Sequence, residues 1–493
     1  MNEPRQDVIA AVKHFLEQGT KLLLIDGQWK PSSSKQTIPV LNPATESVLA
    51  EVALADRCDV DLAVAAAKRA YEDPNWTDMD PHQRGLYLIK IADLVEQNAE
   101  ELALLDTLDE GMPFSDSLAM VKDVVKTFRY YAGWPARVHG FTNASPGAIF
   151  SYTNREPLGV CGAIIPWNAP FIMAAWKIAP VIAFGNTVVL KPSELTPLSA
   201  LRLGELILES GLPRGVVNIL PGTGAEAGAA LVAHHDIAKI AFTGSTAVGK
   251  SILSSASSTL KKVSLELGGK SPNIIFEDAD LDQAIQVAVK AFTFNTGQGC
   301  VLGTRIFIQE SVYNEVSQRI IAQVKQLKVG SGVENDTDIG PITNINQFNK
   351  VQGYFKIAQE QGATLEVGGE TYGDKGYFIK PTVFTNVSND SRLAQEEIFG
   401  PVAVLIPFSD EKEVIQKAND TNYGLGAGIW TRNLSTAHRV AKALNAGTVW
   451  INTYLEVDPI APFGGYKQSG MGRELGQDSM LEYTQVKTVL IRL

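Results

Sequence analysis

The sequence predicts an α/β protein that holds two sizeable domains built on parallel sheets. Its 493 residues exceed what one hydrophobic core usually fills. Between residues 157 and 269, short apolar strands alternate with helical segments, and a second block with the same alternation runs from residue 272 to about 452. Such alternation is typical of parallel sheets whose faces are covered by helices.

Composition and charge are those of a soluble globular protein. Hydrophobic residues make up 45% and charged residues 20% of the chain, and 42 glycines indicate many tight turns. Lysine and arginine total 43 against 54 aspartates and glutamates, which leaves a net charge of −11. This acidic balance argues against a general affinity for nucleic acid or an anionic membrane, and it leaves open a small basic pocket for a phosphate.

Cysteine use and the N-terminal segment predict a cytoplasmic protein. Cys58, Cys161 and Cys300 are an odd number in a long chain and make no disulfide framework, which suits a reducing compartment. Residues 8–18 have the pattern of an amphipathic helix rather than the apolar core of a signal peptide. The most apolar long stretch, residues 169–190, is interrupted by lysine, proline, glycine and asparagine, so it fails as a membrane span.

The N-terminal part of the chain is mainly helical. Residues 22–29 form a predicted strand, and the polar loop 31–36 is of the kind that joins hairpin strands. Alanine and leucine recur at helical spacing over residues 59–71 and 81–108. The helical pattern resumes over residues 116–132, and a loop follows at residues 133–147.

Each α/β block supplies several strands. Those of the first block are predicted at residues 159–165, 187–190, 216–220, 237–242 and 263–267. Such sheets bind ligands at the carboxyl ends of their strands. The second block has predicted strands at 273–276, 305–308, 402–406 and 448–452, and predicted helices at 281–294, 312–327 and 436–444. A final strand is predicted at 483–493, where an unpaired strand would invite a partner subunit.

The segment 292–305, F-T-F-N-T-G-Q-G-C-V-L-G-T-R, carries a candidate nucleophile, Cys300. It lies between a predicted helix and a predicted strand of the second block. Gly299 precedes the thiol and Gly303 follows shortly, so substrate and backbone can approach it closely. The alternative is a small buried hydrophobic side chain, the commoner role of a lone cysteine.

Two further polar side chains lie at the ends of strands in the first block. Asn168 follows strand 159–165 in P-W-N, where its amide can donate to a developing oxyanion without adding charge. The alternative is a turn residue before a helix. Glu266 lies between leucines in L-E-L-G-G-K, where desolvation raises a carboxyl pKa and suits a general base; the alternative is an exposed charge at a strand end.

Charges and glycine loops at other strand ends indicate a dinucleotide site. In K-P-S-E, Lys191 can reach a ribose or phosphate, and Glu194 can accept from ribose hydroxyls and repel a 2′-phosphate. P-G-T-G at 221–224 and F-T-G-S-T-A-V-G at 242–249 each follow a strand and open a helix, as a phosphate loop does, although plain turns have the same pattern. E-E-I-F-G-P at 396–401 offers a carboxylate for a sugar and an aromatic for a flat ring.

Together these segments resemble the aldehyde dehydrogenase superfamily. P-W-N, K-P-S-E, F-T-G-S-x-x-x-G, E-L-G-G-K, G-Q-x-C, E-E-I-F-G-P and P-F-G-G-Y-K-x-S-G occur in the family's order between residues 166 and 470. The flanking segments also fit, so the resemblance covers nearly the whole chain. Any one motif is weak evidence, whereas the ordered set is specific.

The resemblance implies an architecture and an assembly. A Rossmann-like NAD(P)-binding domain is expected at residues 1–130 and 153–266, an α/β catalytic domain at 267–465, and a small β oligomerisation element at 131–152 and 480–493. The implied cofactor is NAD, with NADP possible, and the implied partner is a small-molecule aldehyde. The protein is expected to form a homo-oligomer, either a dimer or a tetramer. It is not expected to bind a metal ion, nucleic acid or a membrane.

The resemblance also implies a role for each matched catalytic residue. Cys300 attacks the aldehyde carbon, while its own backbone N–H and the Asn168 amide hold the oxyanion. Hydride leaves for the nicotinamide, and Glu266 then activates the water that hydrolyses the resulting thioester. The presence of both Asn168 and Glu266 resembles the hydrolytic branch rather than the branch that passes the acyl group to coenzyme A, so a free carboxylic acid is the expected product.

Cofactor contacts follow from the same match. Lys191 and Glu194 match the contacts to the adenosine ribose, and Glu194 favours NAD over NADP. Ser245 matches the pyrophosphate contact, and Glu397 with Phe399 the contacts to the nicotinamide ribose and ring. The expected cofactor-binding residues are Ile164, Pro166, Trp167, Lys191, Glu194, Gly224, Phe242, Gly244, Ser245, Gly249, Leu267, Gly268, Glu397 and Phe399.

Two positions of the expected substrate tunnel are occupied by small side chains. Ala169 and Val457 stand where many relatives have an aromatic residue. We therefore expect a roomy apolar tunnel for long-chain, aromatic or terpenoid aldehydes. An amino-aldehyde or betaine aldehyde is the alternative, favoured by Glu456 near the mouth and disfavoured by the incomplete aromatic cage at Ala169. The expected tunnel residues are Ala169, Trp176, Phe294, Val457 and Phe463.

Three other classes of protein compete with this interpretation. A cysteine hydrolase would use the same thiol, amide and carboxylate, but it needs a histidine base, and the six histidines lie in no matching motif. A non-enzymatic module would be expected to lack a catalytic residue, whereas all are present. A metal enzyme would need histidines and cysteines at ligand spacing, which the sequence does not contain.

Overall fold

The computed structural model describes residues 4–493. The first three residues of the N-terminal segment, on which the expected absence of a signal peptide partly rests, lie outside the described residues. Across residues 4–493, none of the helices combines the length and apolar character that a membrane crossing needs. The predicted α/β class is confirmed, since helices alternate with the strands of two large, mainly parallel sheets.

Strands and helices alternate along most of the chain. The strands are β1 Leu23–Ile25, β2 Gln28–Lys30, β3 Thr37–Leu41, β4 Val48–Ala53, β5 Thr142–Asn143, β6 Ile149–Pro157, β7 Val160–Ile164, β8 Thr187–Lys191, β9 Val217–Ile219, β10 Ile237–Thr243, β11 Lys262–Glu266, β12 Pro272–Ile275, β13 Arg305–Gln309, β14 Thr364–Val367, β15 Thr382–Thr385, β16 Val402–Phe408, β17 Gly426–Trp430, β18 Thr448–Ile451, β19 Gly470–Met471 and β20 Thr484–Arg492. The α-helices are α1 Gln6–Glu17, α2 Arg57–Glu72, α3 Pro74–Thr77, α4 Pro81–Gln97, α5 Ala99–Asp109, α6 Phe114–Ala132, α7 Pro170–Ala183, α8 Leu198–Glu209, α9 Ala229–Ala233, α10 Thr246–Ala256, α11 Leu281–Thr293, α12 Tyr313–Val324, α13 Ile345–Glu360, α14 Arg392–Gln395, α15 Glu411–Asn419, α16 Leu434–Ala443 and α17 Ser479–Tyr483.

The first large sheet has eight strands in the order β19-β11-β10-β7-β8-β9-β1-β2. Its five central strands, β7 to β11, run parallel. These are the five strands predicted for the first block. At their carboxyl ends Ile164 is in register with both Lys191 and Phe242, and Glu266 with Thr243. The carboxyl edge of this sheet, where a ligand was predicted to bind, therefore brings together residues from motifs that are distant in the sequence.

The apolar stretch at residues 169–190 becomes helix α7 and strand β8. Every residue of α7 is buried, because the helix packs against α4, α6, α8 and β8. A helix that is apolar all round belongs in a core of this kind. The stretch therefore lies in the protein interior.

The second large sheet has seven strands in the order β14-β15-β16-β13-β12-β17-β18. Four were predicted, and β14, β15 and β17 were missed. Strand β17, G-A-G-I-W, contains two glycines that in sequence indicate a turn. A side chain at Gly428 would come within 2.5 Å of the Tyr454 ring, and one at Gly426 within 2.8 Å of the Trp450 ring. These glycines are required for side-chain packing across the strand.

A third sheet places the two chain segments expected to form the oligomerisation element side by side. β20 pairs antiparallel with β6 over nine residues, and β5 lies on the other side of β6. The predicted C-terminal strand is present, but the expectation that it is unpaired was wrong, because β6 covers one of its edges. β20 lies at the end of this sheet, with Val486 and Leu490 exposed.

Near the N-terminus the single strand predicted at residues 22–29 was also wrong. β1 and β2 form a two-stranded hairpin joined by Asp26 and Gly27, both with positive φ. An Asp-Gly pair favours such a tight turn. The loop at 31–36 leads instead to β3. The helical stretch 81–108 is two helices, because Asn98 ends α4 and donates through its side chain to the Leu94 carbonyl at 2.8 Å.

Candidate active site

One cavity of about 740 Å³ is lined by most of the predicted site residues. It extends from the carboxyl edge of the first sheet into a space between helices α6, α7 and α11. Cys300, Glu266 and Asn168 all line it. The predicted cofactor residues on its wall are Pro166, Trp167, Gly244, Ser245, Leu267, Gly268, Glu397 and Phe399, and the predicted tunnel residues are Ala169, Trp176, Phe294, Val457 and Phe463.

Cys300 lies in a turn between α11 and β13. Before it, Asn295, Thr296 and Gly297 adopt positive φ of 49°, 55° and 74°. This left-handed run is unusual for side chains other than glycine and turns the chain sharply after the helix. A side chain at Gly297 would lie 2.0 Å from the Gly400 backbone, so the turn rests directly on the loop after Phe399. The thiol is thereby aimed into the cavity from a tightly supported loop.

The surroundings of Cys300 keep its thiol protonated. The side chain is half-buried, and burial raises its pKa to about 12, with the Glu397 and Glu266 carboxylates adding to the effect. A nucleophilic thiolate requires that this proton be accepted by a base. The Cys300 carbonyl is held by close packing, because a side chain at Gly269 would lie 2.2 Å from it.

Asn168 follows β7 and is hydrogen-bonded to the cysteine loop both as a donor and as an acceptor. Its Nδ2 donates to the Gln298 carbonyl at 2.8 Å, and its own carbonyl accepts from Asn295 Nδ2 at 2.8 Å. The Asn168 amide has a second N–H, and the residue lines the cavity beside Cys300. The geometry therefore suits donation to an oxyanion formed at a carbon bound to the thiol.

Glu266 ends β11, and its carboxyl group is buried without a partner. The residue is 3% exposed, and neither Oε1 nor Oε2 has a hydrogen bond. Burial raises its pKa well above the usual value, Glu474 raises it further, and Lys177 and Arg473 act in the opposite direction. A carboxyl group of this kind in a cavity is a candidate general base with a pKa nearer neutrality.

Behind Glu266 lies a buried ion pair whose importance the sequence analysis missed. Lys177 of α7 is fully buried, pairs with Glu474, and donates to Thr243 Oγ1 at 2.9 Å. In the sequence, Lys177 stood out only as an interruption of an apolar stretch. A lysine inside a buried helix must have a partner, and its presence in this apolar stretch was the signal that could have revealed the ion pair. Glu474 gave no comparable signal.

Glu397 and Phe399, on the side of the cavity predicted to hold the cofactor, are held by backbone contacts. Glu397 Oε1 accepts from the Gly269 N–H at 2.9 Å, and a side chain at Gly268 would lie 2.3 Å from the same carboxylate. Gln347 Nε2 donates to the Phe399 carbonyl at 2.7 Å, which supports the positive φ of that residue. The Phe399 ring meets Trp167 edge-on, with ring centroids 5.3 Å apart. Gln347 was not among the residues predicted from the sequence.

The remaining predicted cofactor residues lie along the carboxyl edge of the sheet outside this cavity. Lys191 Nζ lies 3.6 Å from the Glu194 carboxylate and donates to the Gly222 carbonyl at 2.6 Å. Next to them Ser245, which also lines the cavity, begins α10 by accepting from the Val248 N–H. The others are Ile164 on β7, Gly224 after β9, Phe242 on β10 and Gly249 on α10. Helix-opening amides, a carboxylate and a lysine at one edge fit a dinucleotide.

The far part of the cavity has apolar walls and a charged rim. Trp176 and Phe463 meet edge-on, with ring centroids 5.2 Å apart, and Ala169 contributes only a methyl group. Glu456 lines the rim, where the sequence analysis expected it. Acidic side chains from α6 and a lysine from α11 also lie there: Asp116, Asp123 and Lys290.

A cluster of potential metal ligands occurs elsewhere on the surface. Ligand atoms of His234, His235 and Asp236 lie within 4.8 Å of one another. His234 Nδ1 accepts from the Asp236 N–H at 3.1 Å, and Asp236 Oδ1 accepts from Lys68 Nζ at 2.8 Å. Because these contacts already use two of the three side chains, the cluster is an ion-pair group rather than a built metal centre.

Comparison with known proteins agrees with this geometry. The model of the aldehyde dehydrogenase family matches residues 29–489. The chain belongs to the aldehyde dehydrogenase family. It is an NAD(P)-dependent aldehyde dehydrogenase, and the resemblance inferred from the ordered motifs is confirmed.

Individual members show how extensive the similarity is. The chain is 50% identical to aldehyde dehydrogenase family 2 member B4, mitochondrial, of Arabidopsis thaliana, over 96% of this chain and 88% of the relative. It is 49% identical to human retinal dehydrogenase 2, over 96% of this chain and 92% of the relative. The solved NAD+ complex of the Bacillus cereus aldehyde dehydrogenase superposes with a TM-score of 0.97 at 46% identity, covering 100% of both chains.

The raised pKa of Cys300 predicts how the free enzyme reacts with iodoacetamide. Only the thiolate reacts, so Cys300 alkylation should rise about tenfold for each pH unit between about pH 7 and about pH 9. Mass spectrometry of the peptides would measure this rate. Exposed Cys58 serves as the internal control. Alkylation of Cys300 that is fast and independent of pH would show that its thiol is already ionised.

Proposed function

We propose that this aldehyde dehydrogenase oxidises bulky or long apolar aldehydes to free carboxylic acids with NAD, through a thioester on Cys300. The observation that carries the proposal is a single cavity in which a thiol, an amide donor and an unpartnered carboxyl group meet an apolar tunnel. A thiol alone is common in proteins, whereas this combination in one cavity with predicted dinucleotide-binding residues is specific.

In the proposed mechanism, Cys300 adds to the aldehyde carbon after its proton has been transferred to a base. The Asn168 amide and the Cys300 N–H stabilise the oxyanion that forms on the former carbonyl oxygen. NAD, when bound, supplies the acceptor for the hydride that leaves this carbon. As the hydride leaves, the oxyanion re-forms the carbonyl double bond, which gives the thioester. Glu266 takes a proton from water, the hydroxyl adds to the thioester carbon, and the thiolate of Cys300 leaves as the carboxylic acid is released.

The preference for NAD over NADP rests on Glu194. Its carboxylate lies 3.6 Å from Lys191 Nζ at the strand ends, where a carboxylate accepts from two ribose hydroxyls but repels a 2′-phosphate. The proposed catalytic roles and cofactor contacts rest on the matched motifs, and the positions of the side chains support both the roles and the contacts. A cysteine hydrolase, the earlier alternative, would turn over without a nicotinamide.

Substitutions of the three proposed catalytic residues test the mechanism. Cys300→Ala should abolish NADH formation, and Asn168→Ala should lower kcat by about 10²–10³-fold because an oxyanion donor is lost. Glu266→Gln should lower kcat by about 10²–10⁴-fold. Because burial raises the pKa of Glu266, wild-type kcat should increase with pH above the range in which an exposed glutamate is already ionised, and Glu266→Gln should lose this increase.

NADH absorbance with an aldehyde panel measures these rates, with NAD and NADP run side by side. Cys58→Ala is the matched control, since it removes an exposed thiol without touching the cavity. Aldehyde-dependent NADH formation that persists in Cys300→Ala would remove Cys300 from the mechanism. Ester hydrolysis without any reduction of either cofactor would favour the hydrolase.

The apolar walls of the tunnel support bulky substrates, and human retinal dehydrogenase 2 is, by its name, a dehydrogenase of one such aldehyde. We expect kcat/KM for octanal or benzaldehyde to exceed that for acetaldehyde by at least about tenfold, because each buried methylene adds binding energy. Ala169→Phe should narrow the tunnel and reduce octanal turnover by about tenfold with little effect on acetaldehyde.

The control for this substrate experiment is Ala10→Phe, which adds the same ring at an exposed position on α1. A higher kcat/KM for acetaldehyde than for octanal and benzaldehyde would refute the roomy tunnel. A marked preference for an amino-aldehyde that is lost in Glu456→Gln would instead support the alternative substrate class, in which the rim carboxylate pairs with a cationic tail.

The division into domains and the assembly are also proposals. We place the cofactor domain at residues 1–130 and 153–266, the catalytic domain at 267–465 and the oligomerisation element at 131–152 and 480–493. The free edge and exposed apolar side chains of β20 support a dimer or tetramer. Three free cysteines in the described part of the chain support a cytoplasmic location, although the Arabidopsis relative is mitochondrial by name.

Light scattering of the purified protein tests the assembly. We expect two or four times the subunit mass of 53.3 kDa. Leu490→Asp, on the exposed side of β20, should shift the distribution toward the monomer, because it places a charge at the proposed interface. Leu434→Asp changes an equally exposed leucine on α16 and should leave the mass unchanged. A 53.3 kDa species for the wild type would overturn the proposal.

A further inference from the structure

Tyr454 joins the loop of the candidate nucleophile to a second loop of the cavity. The cysteine loop comprises residues 294–304, between α11 and β13, and the second loop, which we call the tunnel loop, comprises residues 452–457 after β18. Tyr454 is 4% exposed, and its hydroxyl donates to the Val301 carbonyl at 2.9 Å. Val301 directly follows Cys300 in the chain. One hydrogen bond therefore connects the tunnel loop to the backbone beside the thiol.

The Tyr454 ring occupies a space that two glycines leave open. A Cβ at Gly303 would lie 3.1 Å from the ring carbon that carries the hydroxyl and 3.1 Å from the hydroxyl oxygen itself. A Cβ at Gly428, on β17, would lie 2.5 Å from the opposite part of the ring, Cδ2. Because close packing confines the ring between the cysteine loop and β17, the direction of the hydroxyl is fixed.

Trp450 holds the tunnel loop against Tyr454. The two rings lie 4.8 Å apart between centroids and are tilted by 33°, and Trp450 Nε1 donates to the Glu456 carbonyl at 2.8 Å. Between these contacts Leu455, which lines the cavity, has a positive φ of 67°. Such a backbone conformation persists for leucine where the surrounding contacts impose it. The tunnel loop is therefore a tightly held part of the cavity wall.

The cysteine loop has matching support on the other side of the thiol. Asn168 Nδ2 and Asn295 Nδ2 donate to the Gln298 carbonyl, at 2.8 Å and 3.4 Å. Side chains thus bind one carbonyl two residues before Cys300 and another, that of Val301, one residue after it. The backbone of the nucleophile is held between two anchors, and the second anchor comes from the tunnel loop.

We propose that Tyr454 is a positioning residue, which fixes the Cys300 thiol and its backbone N–H relative to an aldehyde in the tunnel. Its hydroxyl acts through the Val301 carbonyl and not on the substrate, because it donates to the backbone. Without this donor, the cysteine loop gains freedom where the nucleophile and an oxyanion donor must be held in place. This inference rests on the proposed role of Cys300.

The protonation state of Tyr454 agrees with the role of a donor. Burial raises the pKa of its hydroxyl above the usual value, so the proton is retained at neutral pH. A neutral phenol can donate one hydrogen bond, and the Val301 carbonyl accepts it. The anchor therefore stays intact over the pH range in which the proposed reaction would be measured.

Pre-steady-state kinetics of Tyr454→Phe test the positioning role. Phenylalanine keeps the ring and removes only the hydroxyl, so the Tm should stay within about 3 °C of the wild type. At saturating NAD, the maximal rate of NADH formation from octanal or acetaldehyde should fall about tenfold, because the reacting atoms are less well aligned. The aldehyde concentration that gives half of this rate should change by less than about threefold, since the tunnel walls remain.

Tyr313→Phe is the matched control for this experiment. Tyr313, on α12, also donates from its hydroxyl to a backbone carbonyl, that of Leu405 on β16, at 3.3 Å. The control removes the same kind of hydrogen bond from the second large sheet, at a residue that does not line the cavity. Its rate of NADH formation should stay within about twofold of the wild type.

Hydrogen exchange of the free enzyme tests the anchor without any turnover. Followed by mass spectrometry, the amides of residues 294–304 should exchange at least about threefold faster in Tyr454→Phe than in the wild type. Tyr313→Phe should leave their exchange unchanged. Because this measurement needs neither aldehyde nor NAD, it still tests the anchor if Cys300→Ala disproves the proposed chemistry.

Several results would overturn the positioning role. A wild-type rate of NADH formation in Tyr454→Phe would show that the hydroxyl is not needed to place the thiol. A slower rate with wild-type exchange of residues 294–304 would show that Tyr454 acts on the substrate directly. A loss of activity that matches the unfolded fraction, measured by circular dichroism, would show that the hydroxyl only stabilises the fold.

Discussion

The candidate site depends on close backbone packing at glycines where loops from the two large sheets meet. Gly269, after β11, leaves room for the Cys300 carbonyl, and Gly297 leaves room for the backbone at Gly400. A Cβ at Gly269 would lie 2.2 Å from a backbone atom and one at Gly297 would lie 2.0 Å from another, far inside van der Waals contact, so no small adjustment accommodates one. These contacts bring together the cysteine loop, the end of β11 and the loop of Glu397, which are far apart in sequence.

Burial is the second constraint, and it affects each ionisable group in the site differently. Lys177 and Glu474 are buried as a pair, which keeps both charges satisfied. Glu266 is buried alone and Cys300 is half-buried near two carboxylates, so the pKa of each is raised. Desolvation disfavours the charged form of each group and so raises its pKa. Groups perturbed in this way are suited to taking up or releasing a proton during a reaction.

The carboxyl oxygens of Glu266 face the cavity, where water and substrate enter. Because no protein group binds them, they remain available for chemistry.

The α/β class, the family and most of the residues that line the candidate site could be predicted from the sequence alone, because chemistry and close approach require particular residue types at strand ends. The sequence did not determine which glycines are turns, since Asp26-Gly27 forms a turn while Gly426 and Gly428 lie inside a strand. Nor did it identify the partners of polar side chains around the site: Lys177 with Glu474, and Gln347 with the Phe399 carbonyl. Those pairings are between residues distant in the chain, and only the tertiary packing brings them into contact.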